Sequence, residues 1–226
     1  MANVILVAGT YHGGWYWSNL VERLVSRGHQ VFAPTLLGLG DDSPSLSPIT
    51  LDDHIQQVVH LIENERLSDV TLVGWSYGGM VITGVPSHTD SKISHLIYLD
   101  AAVPKSGQAE FDIIPGWLRE QQLAECLDGL NQFPSQEFLA YEPRMKPHPI
   151  GTKKDPISYD EQQLALIPKT YVLPGKEVSN GPFAEVVQRI AGEPNWNLIE
   201  VDAGHDLYRD APMEIERIIL GLLSNL

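Results

Sequence analysis

The chain has 226 residues, 43% of them apolar and 19% charged, which suits a single globular domain, residues 1–226, with a substantial core. Fifteen Lys and Arg against 29 Asp and Glu leave a formal net charge of −14, which repels phosphate backbones and anionic lipid surfaces; neither nucleic acid nor membrane is expected as a partner. Cys126 is the only cysteine, so an internal disulfide is excluded and a cytoplasmic protein is expected.

From Asn3 to Ala8 the chain reads as a strand buried on both faces of a parallel sheet, and no basic stretch marks it as a leader. The loop Gly9-Thr10-Tyr11-His12-Gly13-Gly14 follows. Trp17, Leu20, Val21, Leu24 and Val25 then recur at helical spacing, with Gly28 where a C-terminal cap glycine belongs. His29 to Pro34 is a second strand, and the Gly/Asp/Ser/Pro-rich run from Leu37 to Pro48 is a long loop. Thr50 with Asp53 predicts a capping box opening a helix whose buried face is Leu51, Ile55, Val58, Val59 and Ile62. His54 and His60 on that helix are expected to be solvated or partly buried.

Val70 to Val73 is an apolar strand that runs into Gly74-Trp75-Ser76-Tyr77-Gly78-Gly79 and then a helix. Ile93 to Leu99 is a fourth strand, ending at Asp100. The alternation of strand and helix then stops. Residues 105–168, approximately, carry helical patches over Trp117 to Leu127, Ser135 to Tyr141 and Tyr159 to Ile167, without a strand of comparable quality, and are expected to form a helical cap insertion. Strands resume at Lys169 to Leu173 and Trp196 to Val201, with helices over Pro182 to Ile190 and Pro212 to Leu223. The fold class is therefore α/β, a mostly parallel sheet with helices on both faces. Ligands of such sheets bind beyond the carboxyl ends of the strands, where Gly9 to Gly14, Ser76, Asp100, Glu177 and His205 all fall.

G-x-S-x-G between a strand and a helix is the pattern of a nucleophile elbow, which makes Ser76 a candidate nucleophile. A serine hydroxyl needs a base to take its proton and a third group to hold that base in the right tautomer. His205, in Asp202-Ala203-Gly204-His205-Asp206 directly after the last strand, is the candidate base. Two carboxylates can orient it, Asp100 after the fourth strand and Glu177 after the fifth; Asp100 is preferred, and Glu177 is the alternative. The residue after the nucleophile, Tyr77, supplies one backbone donor of an oxyanion hole, and the Gly9-Thr10 loop the other. His12, Trp15 and Trp75 are candidate pocket residues, whereas Trp17 reads as core. A lone His12 without a second ligand at metal spacing argues against a metal site, and no cofactor is expected.

Leu6 to Trp17, Gly-Trp-Ser-Tyr-Gly-Gly, Tyr98 to Pro104 and Ala203-Gly204-His205-Asp206 together resemble the α/β-hydrolase fold superfamily, and within it the bacterial esterases related to plant methylesterases and hydroxynitrile lyases. The resemblance covers the whole chain. It implies Ser76 as nucleophile, His205 as base and the N–H groups of Thr10 and Tyr77 as the oxyanion hole. It leaves the acid open: the plant methylesterase position falls on Glu177, and that of haloalkane-dehalogenase-like relatives on Asp100. Ala8-Gly9 stands where the family usually has His-Gly, and Trp75 where it often has His. Gly9 replaces the threonine, and Asp206 the lysine, that hydroxynitrile lyases need, which argues against cyanohydrin cleavage.

The expected function is thus a cofactor-independent serine hydrolase acting on a small-molecule substrate, a carboxylic ester hydrolase for small to medium apolar or aromatic compounds with an acyl-enzyme on Ser76. The same fold supports lyase, C–C hydrolase and cyclase chemistry, and a non-catalytic ligand-binding scaffold is a further alternative against which the intact Ser76 and His205 argue. A homodimer is compatible with the chain.

Overall fold

Strands β1 (Asn3–Val7), β2 (Gln30–Phe32), β3 (Val70–Ser76), β4 (Ile93–Ala101), β5 (Asn131–Gln132), β6 (His148–Pro149), β7 (Lys169–Pro174) and β8 (Trp196–Val201) make two sheets in the computed structural model, which describes residues 1–40, 47–176 and 181–224. Six of them form one sheet in the order β2-β1-β3-β4-β7-β8, with every neighbouring pair parallel. Parallel neighbours cannot be joined by tight hairpins, so the connections cross over the sheet and cover it. At the centre, all seven residues of β3 are buried.

Period-two alternation divides the core between the two faces. Val4 and Leu6 point toward Trp17, Leu20 and Leu24 of the first helical turns and α1 (Ser18–Ser26), and toward Ile215 and Ile219 of the C-terminal helix. Ile5 and Val7 point the other way, into a cluster with Ile55, Val58 and Ile62 of α2 (Leu51–Asn64) and Met80 and Ile82 of α3 (Gly78–Gly84). The expected helix punctuation is present. Gly28 has φ +86° and closes α1 with His29 N–H donating to Leu24 O and Gly28 N–H to Val25 O, the paired bonds of a Schellman turn. Thr50 and Asp53 exchange both bonds of a capping box at the start of α2.

Residues 105–168 hold α4 (Gly116–Ala124), α5 (Gln136–Tyr141), α6 (Gly151–Lys154) and α7 (Glu161–Ala165). They also hold β5 and β6, a two-residue antiparallel pair too short to announce itself by alternation. The chain then completes the sheet with β7, α8 (Ala184–Ile190) and β8, and ends with α9 (Leu207–Asp210) and α10 (Pro212–Leu223). Among the described residues no helix is long and apolar enough to cross a membrane.

His54 corrects the expectation of a solvated or partly buried residue: it is fully buried. The reason is that both ring nitrogens find partners inside. Nε2 lies 2.8 Å from the Leu37 carbonyl and must donate to it, so Nδ1 accepts from the Tyr77 hydroxyl, also at 2.8 Å. Burial pushes its pKa down to about 4. An unfolded histidine, with a pKa of about 6.5, binds a proton across the interval in which folded His54 does not, so the stability present above that interval is lost as pH falls through it. Urea unfolding at pH 7 and pH 4 is expected to show His54→Gln losing on the order of 3 kcal/mol less over that step than the unsubstituted protein; equal losses would reject His54 as a source of acid sensitivity.

Candidate active site

The turn from β3 to α3 is built from backbone packed on backbone. A Cβ at Gly74 would lie 2.7 Å from Gly78 O, one at Gly78 would lie 2.5 Å from Val7 O, and one at Gly79 would lie 2.1 Å from Ala102 O. No side chain fits at these positions. Ser76, between them, takes φ +53°, a left-handed conformation that costs a non-glycine residue on the order of 1 kcal/mol or more and persists only where the surroundings impose it. Its side chain meets the loop after β1, for a Cβ at Gly9 would come within 2.9 Å of Ser76 Cβ.

His205 follows β8 and reaches back over the sheet edge. Its Nδ1 is 2.6 Å from Asp100 Oδ2 and its Nε2 is 3.1 Å from Ser76 Oγ. A carboxylate acceptor at Nδ1 places the imidazole proton there, which leaves Nε2 to accept from the Ser76 hydroxyl. Asp100 owes its direction to a register shift: Trp75 pairs with Leu99 but Ser76 with Ala101, so Asp100 is an extra residue in β4, with φ +38°. A bulge of this kind re-aims a side chain. Asp100 is only 3% exposed, and the Tyr171 hydroxyl, 3.3 Å from its Oδ1, lies on the other side of the carboxylate. Glu177, the alternative acid, lies outside the described residues.

Under His205 lies a slab of aromatic rings. Trp75 donates its indole N–H to the His205 carbonyl at 2.9 Å and stacks on Tyr16 with the planes 8° apart. The Tyr16 hydroxyl in turn donates to Asp206. His12 packs edge-on against Trp75, and its Nδ1 donates to the Thr10 carbonyl at 2.7 Å. Trp17 is buried, as expected of a core residue. Trp15 departs from the expectation of a pocket residue: it packs against His12 and under the Arg144 guanidinium, 4.2 Å from its ring centroid, outside the cavity wall.

Above Ser76 is a cavity of about 360 Å³ whose wall includes Thr10, His12, Trp75, Ser76 and His205. Most of the remaining wall comes from residues 105–168, among them Glu110, Trp117, Gln122, Gln132 and Phe138. None of these was singled out as a site residue in the sequence, where single residues scattered over short helical patches carry no local signal of a shared cavity. Hydrogen bonds tie residues 105–168 to the first loop. The Tyr11 hydroxyl donates to Glu125 Oε2 at 2.8 Å, Lys146 N–H donates to Tyr11 O at 3.0 Å, and Lys153 Nζ donates to Thr10 Oγ1 at 2.8 Å. Tyr77 adjoins Ser76, with its ring buried and turned toward His54. Among the described residues no group of three His, Cys, Asp or Glu side chains is placed to hold a metal ion. The arrangement can therefore draw a proton from a serine hydroxyl toward a histidine whose positive charge a buried carboxylate would balance.

A sequence model of the alpha/beta hydrolase family matches residues 4–218 of this chain. A carbendazim hydrolyzing esterase from Nocardioides sp. is 33% identical over 243 residues, covering 98% of this chain and all of that protein. Methylesterase 18 from Arabidopsis thaliana is 22% identical, covering 98% of this chain and 97% of that one. Among solved structures, an extracellular alpha/beta-hydrolase from a Paenibacillus species superposes with a TM-score of 0.84 at 19% identity, covering 98% of each chain.

Because Gly9 abuts Ser76 through Cβ rather than through the end of a flexible side chain, Gly9→Ala must displace either the loop or the elbow. Modification of Ser76 by a fluorophosphonate is expected to slow by roughly one to two orders of magnitude, the scale on which a displacement of about 1 Å acts. A labelling rate within twofold of the unsubstituted protein would show that the approach is not tight.

Proposed function

The chain belongs to the alpha/beta hydrolase family and is an enzyme, a carboxylesterase-like hydrolase; within that family we propose a cofactor-independent serine hydrolase that cleaves carboxylic esters of small to medium apolar or aromatic compounds. The observation that carries this reading is the unbroken line from Asp100 Oδ2 through His205 to Ser76 Oγ, 2.6 and 3.1 Å long, at the floor of the cavity.

In the proposed reaction Ser76 Oγ attacks the ester carbonyl carbon as its proton passes to His205 Nε2, and Asp100 steadies the imidazolium so formed. The carbonyl oxygen becomes an oxyanion held by the N–H groups of Thr10 and Tyr77. When the C–O bond breaks, His205 returns the proton to the departing alcohol, leaving an acyl group on Ser76. Water, deprotonated by His205, then attacks that acyl group; the acid leaves and Ser76 recovers its proton.

Several features support an apolar or aromatic substrate. A cavity of about 360 Å³ falls in the range of small-molecule sites, and Trp75, Trp117, Phe138, Tyr141 and Phe183 line it. The Nocardioides relative, a carbendazim hydrolyzing esterase by name, supports ester hydrolysis as well. Residues 105–168 act in this reading as a cap that sets substrate choice, because they provide most of the cavity wall while the sheet provides Ser76 and Asp100 and the loop after β8 provides His205.

Ser76→Ala should abolish labelling by a fluorophosphonate and hydrolysis of p-nitrophenyl esters. Asp100→Asn should lower kcat by roughly four orders of magnitude, because the amide favours the wrong tautomer of His205. Steady-state kinetics of Asp100→Asn and Glu177→Gln decide the acid: a crippled Glu177→Gln beside a near-normal Asp100→Asn would reassign it. For the cap, Trp117→Ala and Phe138→Ala are expected to shift the ranking of acyl chain lengths by about tenfold in kcat/KM with little change in Tm. An unchanged ranking would make the cap a structural cover only.

A further inference from the structure

Lys153 has no part in the reaction just described, yet it is 0% exposed. A buried ammonium is costly unless it is hydrogen-bonded and paired, and here two hydrogen bonds and a nearby carboxylate meet it. Nζ donates to Thr10 Oγ1 at 2.8 Å and to Gln122 Oε1 at 3.0 Å, and it stands 3.5 Å from Glu110 Oε2. Burial pushes the Glu110 carboxyl up and the Lys153 ammonium down; whichever of the two holds the proton, Lys153 remains a donor toward Thr10, since an amine still carries N–H groups.

The shortest of these contacts falls on a residue proposed for the oxyanion hole. Thr10 follows Gly9, whose backbone is permissive, and precedes Tyr11 at φ +68°, so the loop is not held by regular structure of its own. Its carbonyl is fixed from one side by His12 Nδ1–H at 2.7 Å, and its hydroxyl from the other by Lys153 at 2.8 Å. The two bonds hold the residue at its carbonyl and at its side chain, and the Thr10 N–H has little freedom left.

We infer that Lys153 is a positioning residue for ester hydrolysis, holding Thr10 through its hydroxyl so that the Thr10 N–H meets the oxyanion. The inference rests on the proposed serine-hydrolase reading. Because Lys153 sits on α6, it also makes the oxyanion loop depend on how residues 105–168 are seated.

The test is a double-mutant cycle between Lys153→Met and Thr10→Val in the full chain, assayed on a p-nitrophenyl ester and against a boronic acid that forms a tetrahedral adduct with Ser76. Lys153→Met would strand Glu110 in the interior, so it is made on Glu110→Gln, with Glu110→Gln alone as its reference. The expected result is a fall in kcat of about 10- to 100-fold, KM within threefold, and a parallel loss of boronic acid affinity. Thr10→Val should reproduce most of the loss, the combined variant should be no worse than either alone, and Thr10→Ser, which keeps the hydroxyl, should recover most of what Thr10→Val loses. Additive losses, a loss confined to KM, or equal activity of Thr10→Ser and Thr10→Val would overturn the inference. If the Lys153 variants do not fold, the comparison of Thr10→Ser with Thr10→Val decides it alone. Absence of ester turnover in the unsubstituted protein would instead refute the hydrolase reading, so the two failures are distinguishable.

Discussion

The structure depends on a close crossing of backbones at the carboxyl edge of β1, β3 and β4. Val7 O, Gly74, Gly78 and Ala102 O approach at distances that leave no room for Cβ atoms, and this crowding is what keeps Ser76 at positive φ. Tyr11, in the loop after β1, and Asp100, in β4, are also at positive φ, so three of the five such non-glycine residues described gather near that crossing. The strain is sustained by the sheet, whose central strands are buried on both faces and cannot relax toward solvent. A site made this way has its geometry prescribed by the main chain, and side chains only complete it.

Two outer supports then act on that frame. On one side, the aromatic slab of Trp75, Tyr16 and His12 fastens the backbone of the His205 loop through the Trp75 indole. On the other, residues 105–168 reach the first loop by hydrogen bonds to Thr10 and Tyr11 and close the cavity. The sheet edge and its cover are thus joined by polar contacts in the interior, which are directional and lose their value when displaced by an ångström, whereas apolar contacts tolerate sliding.

What was legible in the sequence is what local chemistry encodes. The capping box at Thr50 and Asp53, the cap glycine at Gly28, the six parallel strands and the glycine spacing around Ser76 each need only a few consecutive residues to be recognised. The relation between Asp100 and His205 was not of that kind. It turns on a one-residue register shift between β3 and β4, and sequence pattern does not distinguish a bulged Asp100 from one that ends its strand regularly. His54 read as solvated or partly buried, and nothing in the sequence singled out Lys153, because charge and polarity are the only local cues; burial was decided by partners far along the chain, Leu37 and Tyr77 for one, Thr10 and Glu110 for the other. Trp15 misled in the opposite direction: an aromatic in the first loop suggested the cavity, but a one-turn helix directs its ring to Arg144 instead.

Ser76 and His205 are 129 residues apart, and His205 comes after the last strand of the sheet. A chain emerging from the ribosome therefore displays its serine long before the histidine it meets in the fold has been synthesised. Until β7 and β8 dock on the edge left open by β4, the hydroxyl has no imidazole beside it. The order of strands along the chain thus makes the contact between Ser76 and His205 a late event of folding, one that forms only when the whole sheet has closed.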